Sequence, residues 1–336
     1  MGIEPEQSPS PDAIALAFRQ ALEAARAFEG ATAPNPPVGC AILEASGSVL
    51  AVAAHQRAGT GHAEALAIAD CRAKGLGEAI HTIVVTLEPC NHFGRTPPCS
   101  EAILSTPAKA LWIGAVDPNP VVAGGGAERL RAASLKVMSI GDLGHADTVS
   151  LAASAQRLIA PFAKRVRTGL PWVTVKQAVD GNGSMIPPAG RKTFTSPDSL
   201  KFAHELRRRA DAVLTGSGTI LADAPEFTVR HVPGFASKSR HLAILDRRGR
   251  VPTDYLDAAK ARGFRVLLPH SFADALHQLG EAGALEVLVE AGPQLTESVL
   301  ASPFWDEHIR ITANKDGPDR VEVFSQPHSF SPTERT

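Results

Sequence analysis

The apolar positions fall into two successive alternations of short strands and amphipathic helices. Residues 12–28 set Ile14, Leu16, Phe18, Leu22 and Phe28 among alanines and charges, which predicts an opening helix capped by Asp12. Apolar runs at 38–43 and 49–53 flank Gly47 and predict a hairpin. A helix follows over 63–74, ended by Gly75. Runs at 82–87 and 111–116 read as buried strands joined by a loop rich in proline and polar residues. A helix at 128–133 and a strand at 135–140 close the first series.

A long helical pattern over 146–167 leads to a turn at Thr168-Gly169. The second series runs strand 172–176, helix 197–209, strand 212–214, loop 230–240, strand 242–245, strand 264–268, helix 272–283, strand 286–289 and helix 294–300. Strands alternating with helices predict the α/β class with largely parallel sheets. The division expected is a tail at 1–10, a first domain at 11–145, a linking helix and turn at 146–168, and a second domain at 169–336. A chain of 336 residues, 44% of them apolar, can bury two cores.

Charge narrows the partners. The 34 lysines and arginines face 35 acidic residues, a net charge of −1 without a basic stripe. That argues against nucleic acid or an anionic membrane and leaves room for a pocket that holds one phosphate. No apolar stretch reaches the ~18 residues of a membrane span. The opening segment carries Glu4, Glu6 and three prolines, unlike a signal peptide. Four cysteines in so long a chain do not form a disulfide framework. Cys40 and Cys71 lie among apolar or small residues and read as buried thiols in a reducing cytoplasm. A small-molecule substrate is expected, and a homo-oligomer is left open.

Cys90 and Cys99 differ, because they flank a polar loop at the end of the apolar 82–87 strand. His62 stands where the 63–74 helix begins, with Glu64 two positions later. Two ligands of one metal on one helix face prefer a spacing of three or four residues. The spacing of two therefore suits a division of labour, in which His62 binds zinc with Cys90 and Cys99 while Glu64 shuttles protons. Three protein ligands leave one tetrahedral position for water, whose pKa zinc lowers to roughly 7. The constellation predicts a zinc-dependent deaminase acting on a pyrimidine-type ring. A structural zinc with His92 as fourth ligand is the alternative.

The common deaminase signature has two residues between its cysteines, whereas eight separate Cys90 from Cys99. The segment Thr86-Leu-Glu-Pro-Cys-Asn-His-Phe-Gly-Arg-Thr-Pro-Pro-Cys99, together with Pro34-Asn-Pro-Pro-Val-Gly39 and Asp117-Pro-Asn-Pro120, resembles the deaminase half of the bifunctional riboflavin-biosynthesis family. The resemblance implies a cytidine-deaminase-like α/β/α sandwich followed by a dihydrofolate-reductase-like α/β domain. It implies deamination of a diamino-pyrimidinone bearing a ribosylamino 5′-phosphate, then reduction of the ribosyl group to ribityl with NADPH. His62, Cys90 and Cys99 would hold Zn²⁺, and Glu64 would act as acid and base. Asn35, His55, His92, Arg95, Asp117 and Asn119 would surround the substrate. Asn35 can both donate to and accept from the base, and the planar fork of Arg95 suits phosphate. Asp117 and Asn119 are open to a second reading as loop caps, and His55 to one as a surface histidine.

In the second domain the resemblance places substrate contacts at Lys176, Arg207, Phe227, Arg230 and Glu290, and cofactor contacts at Thr219, Asp223, Gly292 and Pro293. It also shows departures. The interval between Lys176 and Asp180-Gly181 is two residues shorter than usual, and Ala224 replaces an Asp. Arg191 and Thr193 stand where Ser and Trp are usual, and Arg247 stands for a Ser. Only 44 residues follow Gly292, fewer than the family normally carries. A second reading therefore keeps the deaminase and makes the C-terminal domain a scaffold for structure or oligomerisation. A third, a nucleoside or tRNA deaminase, is disfavoured by the cysteine spacing and the charge balance.

Overall fold

A computed structural model describes residues 8–326 apart from 93–96, 120–122, 188–192, 236–237 and 315. The chain divides into two compact units, Met1–Arg167 and Thr168–Thr336. Arg95 and Arg191 lie outside the described residues.

Helix α1 (Pro11–Arg26) is capped by Ser10, not Asp12: the Ala13 amide donates to Ser10 Oγ at 3.3 Å. Proline at the first helical position needs no amide partner, so Ser10-Pro11 is the stronger start signal. Asp12 lies in the first turn, 3.1 Å from His145 Nε2. The helix buries Ile14, Phe18, Leu22 and Ala25 and leaves Leu16 on its outer face. Then come β1 (Gly39–Leu43), β2 (Val49–Ala54), α2 (Ala63–Ala73), β3 (Thr82–Val85), α3 (Cys99–Leu104), β4 (Ala110–Ile113), α4 (Gly125–Ala132), β5 (Lys136–Ser139) and α5 (Thr148–Thr168).

The sheet order is β2-β1-β3-β4-β5. β3, β4 and β5 are parallel, while β1 runs antiparallel to both neighbours, so this sheet is mixed. A tight hairpin imposes that on β1 and β2. Side chains alternate between two cores. Val84 faces α1 and the buried Leu151, Ala155, Leu158 and Ile159 of α5. Ile83 and Val85 face α2, α3 and α4 through Ala67, Ile103 and Leu130. Three layers result, the sandwich expected from the resemblance. A Cβ on Gly39 would sit 1.9 Å from the Ala21 carbonyl oxygen, so α1 crosses the start of β1 too closely for any side chain.

The second unit comprises β6 (Trp172–Val179), α6 (Pro197–Arg209), β7 (Ala212–Gly216), α7 (Ser217–Asp223), β8 (Arg240–Leu245), α8 (Thr253–Ala261), β9 (Phe264–Leu267), α9 (Phe272–Glu281), β10 (Glu286–Val289), α10 (Pro293–Leu300), β11 (Glu307–Thr312) and β12 (Arg320–Ser325). Its sheet, β12-β11-β6-β10-β7-β8-β9, is parallel except for β12. Helices α9 and α10 cover one face and α6 and α8 the other, with Val287 and Leu288 of β10 pointing to opposite cores. No helix among the described residues is long and apolar enough to cross a membrane.

Candidate functional site

In the first unit the chemistry gathers at the carboxyl ends of β3 and β4, where open α/β sheets place their sites. His62 is the N-cap of α2, with φ −75° and ψ 161°, and Cys99 opens α3. His62 Nδ1 lies 3.2 Å from Cys99 Sγ and 3.6 Å from Cys90 Sγ. Tetrahedral zinc, with bonds of about 2.1 Å to nitrogen and about 2.3 Å to sulfur, holds such atoms about 3.6 Å apart. The donor set fits that ion. The three ligand atoms lie within 4.8 Å of one another, and among the described residues no fourth protein ligand joins them. His92 is exposed and outside the group, which disfavours a four-ligand structural zinc. The Cys99 thiol, then His62, pulls the Cys90 thiol down to about 4, while that pairing and burial push Cys99 up.

Glu64, in the first turn of α2, is 3% exposed, and burial raises its carboxyl above the ordinary range. His55 is a buried residue, not a surface one, at 3% exposure. Its Nδ1 donates to the Gly61 carbonyl at 3.1 Å, which leaves Nε2 to accept from Asn35 Nδ2 at 3.3 Å. Its ring meets His62 edge-on at 5.3 Å, so Asn35 and His55 flank the ligand group. Asp117 Oδ1 accepts from the Asn119 amide at 2.9 Å, the turn-forming role weighed above, and burial raises its carboxyl.

In the second unit Arg207 of α6 grips Glu290, just beyond β10, through two bonds of 2.9 and 2.6 Å. Burial alone would raise the Glu290 carboxyl, but the charges of Lys176 and Arg207 outweigh it and hold the group below its ordinary value. The Arg207 guanidinium lies 5.9 Å from the centre of the Phe227 ring. Arg230 pairs with Glu226 and donates to Thr228 Oγ1 at 2.9 Å. Thr219 Oγ1 accepts from the Gly292 amide at 2.9 Å, joining α7 to the start of α10. Pro293 is the first residue of α10, and Asp223 is exposed at the end of α7. Ala224 follows with φ 40° and Phe227 has φ 55°, left-handed backbone in which the family's Asp is better tolerated than Ala. Thr193 faces Thr195, and Arg247 is exposed. A cavity of about 610 Å³ opens between β6 and α10, lined by Gln177, Met185, Ile186, Pro293, Thr296 and Leu300.

Two residues of these sites were not singled out from the sequence. Glu88, an acid closing an apolar strand just before Pro89-Cys90, carried a readable signal. His204, in the middle of a polar helix, carried none. The Arg230 amide donates to its Nδ1 at 3.0 Å, and its Nε2 faces Arg207 Nη1 at 3.4 Å. Burial and the charge of Arg207 lower His204 to about 4, so its ring is neutral.

Comparison with known proteins agrees with this geometry. Residues 12–115 match the family described as the cytidine and deoxycytidylate deaminase zinc-binding region, and residues 171–314 match the RibD C-terminal domain. The riboflavin biosynthesis protein RibD of Escherichia coli is 39% identical, with 88% of this chain and 86% of that protein covered. RibD of Aquifex aeolicus is 34% identical, with 89% and 86% covered. The structure of Acinetobacter baumannii RibD superposes with a TM-score of 0.77 at 29% identity, covering 92% of this chain and 89% of that one. A Thermotoga maritima structure, titled as a diaminohydroxyphosphoribosylaminopyrimidine deaminase and 5-amino-6-(5-phosphoribosylamino)uracil reductase, superposes with a TM-score of 0.76 at 28% identity, covering 92% and 90%. With the zinc-type ligand group in one unit and a RibD C-terminal domain forming the other, the chain belongs to the RibD family of riboflavin-biosynthesis proteins.

Proposed function

We propose that this chain carries out two consecutive steps of riboflavin biosynthesis. The first unit removes the amino group of a diamino-pyrimidinone bearing a ribosylamino 5′-phosphate, and the second reduces the ribosyl group to ribityl with NADPH. Deaminase and reductase domains in one chain make it a bifunctional enzyme. The observation that carries the first step is the three-membered group of His62, Cys90 and Cys99 with Glu64 buried alongside.

Zinc held there lowers the pKa of water to roughly 7 and so supplies hydroxide at neutral pH. Water adds its oxygen to the ring carbon, and the amino group leaves as ammonia. Glu64 takes the proton from the water and hands it to the departing nitrogen. A carboxyl whose affinity for protons is raised by burial suits that exchange. Asn35, held by His55, offers both a donor and an acceptor to the edge of the base.

In the second unit the 610 Å³ cavity is of a size that takes a cofactor fragment, and it includes Pro293 at the start of α10. Gly292 caps that helix without a side chain, an arrangement in which helix N-termini receive phosphate groups. Lys176, Arg207 and Glu290 supply charges toward the phosphorylated sugar, with Phe227 and Arg230 beside them. The geometry favours a working reductase over a scaffold. A bidentate buried pair beside a third charge is costly to keep for folding alone.

The metal assignment is tested by replacing Cys99 with serine in the full chain. Zinc is expected to fall from about one per chain to a small fraction, and deamination with it, while reduction of the deaminated product continues. Full zinc occupancy with activity intact would refute the assignment.

A further inference from the structure

Glu88 ends the apolar β3 run and immediately precedes Pro89-Cys90, yet its carboxylate plays no part in the scheme above. The residue is 6% exposed. Among the described residues it makes no ion pair, and its partners are all backbone amides. Oε2 accepts from Gly124 at 3.0 Å and from Asp117 at 3.4 Å, and Oε1 accepts from Ala127 at 3.1 Å. A buried carboxylate is expensive unless its lone pairs are met, and three amides meet them.

The origin of those amides gives the arrangement its meaning. Gly124 is the N-cap of α4 at φ 80° and has no side chain with which to cap the helix. Its own amide and that of Ala127 would otherwise lack acceptors, so Glu88 caps α4 from across the fold. The third amide belongs to Asp117, at the head of the turn that carries Asn119. Contact between the two segments is close: a Cβ on Gly126 would sit 1.9 Å from the Pro89 carbonyl oxygen.

Cys90 has independent anchors on the side of α3. The Ser100 amide donates to the Cys90 carbonyl at 3.2 Å, and the Cys99 amide donates to Cys90 Sγ at 3.4 Å. Ser100 Oγ donates to Asn91 Oδ1 at 2.8 Å. The metal ligand is therefore anchored independently of Glu88, whereas the amides of Asp117, Gly124 and Ala127 bond to Glu88 directly.

We propose that Glu88 is a positioning residue of the deaminase, a clamp that fixes the Asp117–Asn119 turn and the start of α4 against the Cys90 segment and so sets the fit of the phosphorylated pyrimidine. The proposal rests on the reading of the first unit as a deaminase. Glu88 acts through Asp117 and Asn119 and touches neither the reacting ring carbon nor its water.

Two variants of the full chain test it. Glu88→Gln keeps the shape but turns an amino group toward amides that need an acceptor. Glu88→Asp keeps the charge but draws it back by one methylene. In Glu88→Gln the KM of deamination is expected to rise at least about tenfold, with kcat within about threefold and zinc near one per chain. Glu88→Asp should fall between it and the parent. NADPH-dependent reduction of the deaminated product should be unchanged in both, which shows that the second unit is intact, while zinc near one per chain reports that the first unit is folded. Hydrogen exchange at the Asp117, Gly124 and Ala127 amides reads the clamp without catalysis, and faster exchange is expected in both variants. A parent-like KM or unchanged exchange in Glu88→Gln would overturn the clamp, and so would loss of zinc and kcat with KM unmoved. An unaltered chain that released no ammonia would refute the deaminase reading instead, and the exchange measurement would still judge the clamp.

Discussion

Replacing Glu64 with glutamine is expected to leave about one zinc per chain and to slow deamination by ~10²-fold or more. The two halves of that result follow from position. Glu64 sits two residues beyond His62 on α2, and the ligand group closes through Cys90 and Cys99 without it. Glutamine has nearly the same volume, so the buried site at 3% exposure keeps its packing. What disappears is a group able to accept a proton from water and return it to the departing amino nitrogen. Metal analysis beside single-turnover ammonia release separates the outcomes. Joint loss of zinc and activity would make Glu64 a ligand or a support, and near-normal turnover would remove it from the mechanism.

A second large effect is expected from Glu290→Gln. Arg207 and Glu290 expose only 13% and 7% of their side chains, and their two hydrogen bonds are short. Removing the negative partner leaves a guanidinium buried without its counter-charge, which costs about 3–5 kcal/mol. Reduction of the deaminated product should fail with it, because Lys176 and Arg207 lose the carboxylate between them. Urea unfolding followed by tryptophan emission in a Trp112→Phe background, which leaves Trp172 and Trp305, reads the second unit, and an unshifted midpoint would contradict the prediction. The pair also sets a pH dependence. The Glu290 carboxyl is held below its ordinary value, so its stabilisation is full above about pH 4.3 and is lost as pH falls through the folded-state value. Glu290→Gln should flatten that acid limb.

Much of this was legible from residue types because zinc chemistry demands them. His62, Glu64, Cys90 and Cys99 announce themselves by kind and spacing, and the Ile83-Val84-Val85 run fixes a buried strand that ends beside them. Arg207 and Glu290, separated by 83 positions, meet only because α6 lies over the end of β10. The resemblance placed both in one site, and no periodicity could have paired them. Other features were hidden for physical reasons. Ser10 outranked Asp12 as a cap because the following proline fixes where the helix begins. The six-residue α3 and seven-residue α7 are too short to show a period. β11 carried a period-two signal in Ile309 and Ile311, obscured by the intervening Arg310. β12 is an edge strand, mostly exposed, and has little pattern to read. His55 stayed open to a surface reading because nothing local reveals that Asn35 and the Gly61 carbonyl enclose it. Glu88 answers amides at positions 117, 124 and 127, a partnership that no stretch of sequence displays.

The most direct test of a deaminase and a reductase in one chain is to give the intact protein the phosphorylated diamino-pyrimidinone with NADPH and follow ammonia and NADPH separately. Ammonia should appear at the same rate with or without NADPH. NADPH oxidation should begin only as the deaminated product accumulates, approach one equivalent per ammonia, and start at once when that product is supplied directly. Ammonia release with no NADPH oxidation, even on supplied deaminated product, would contradict the account and leave a deaminase alone.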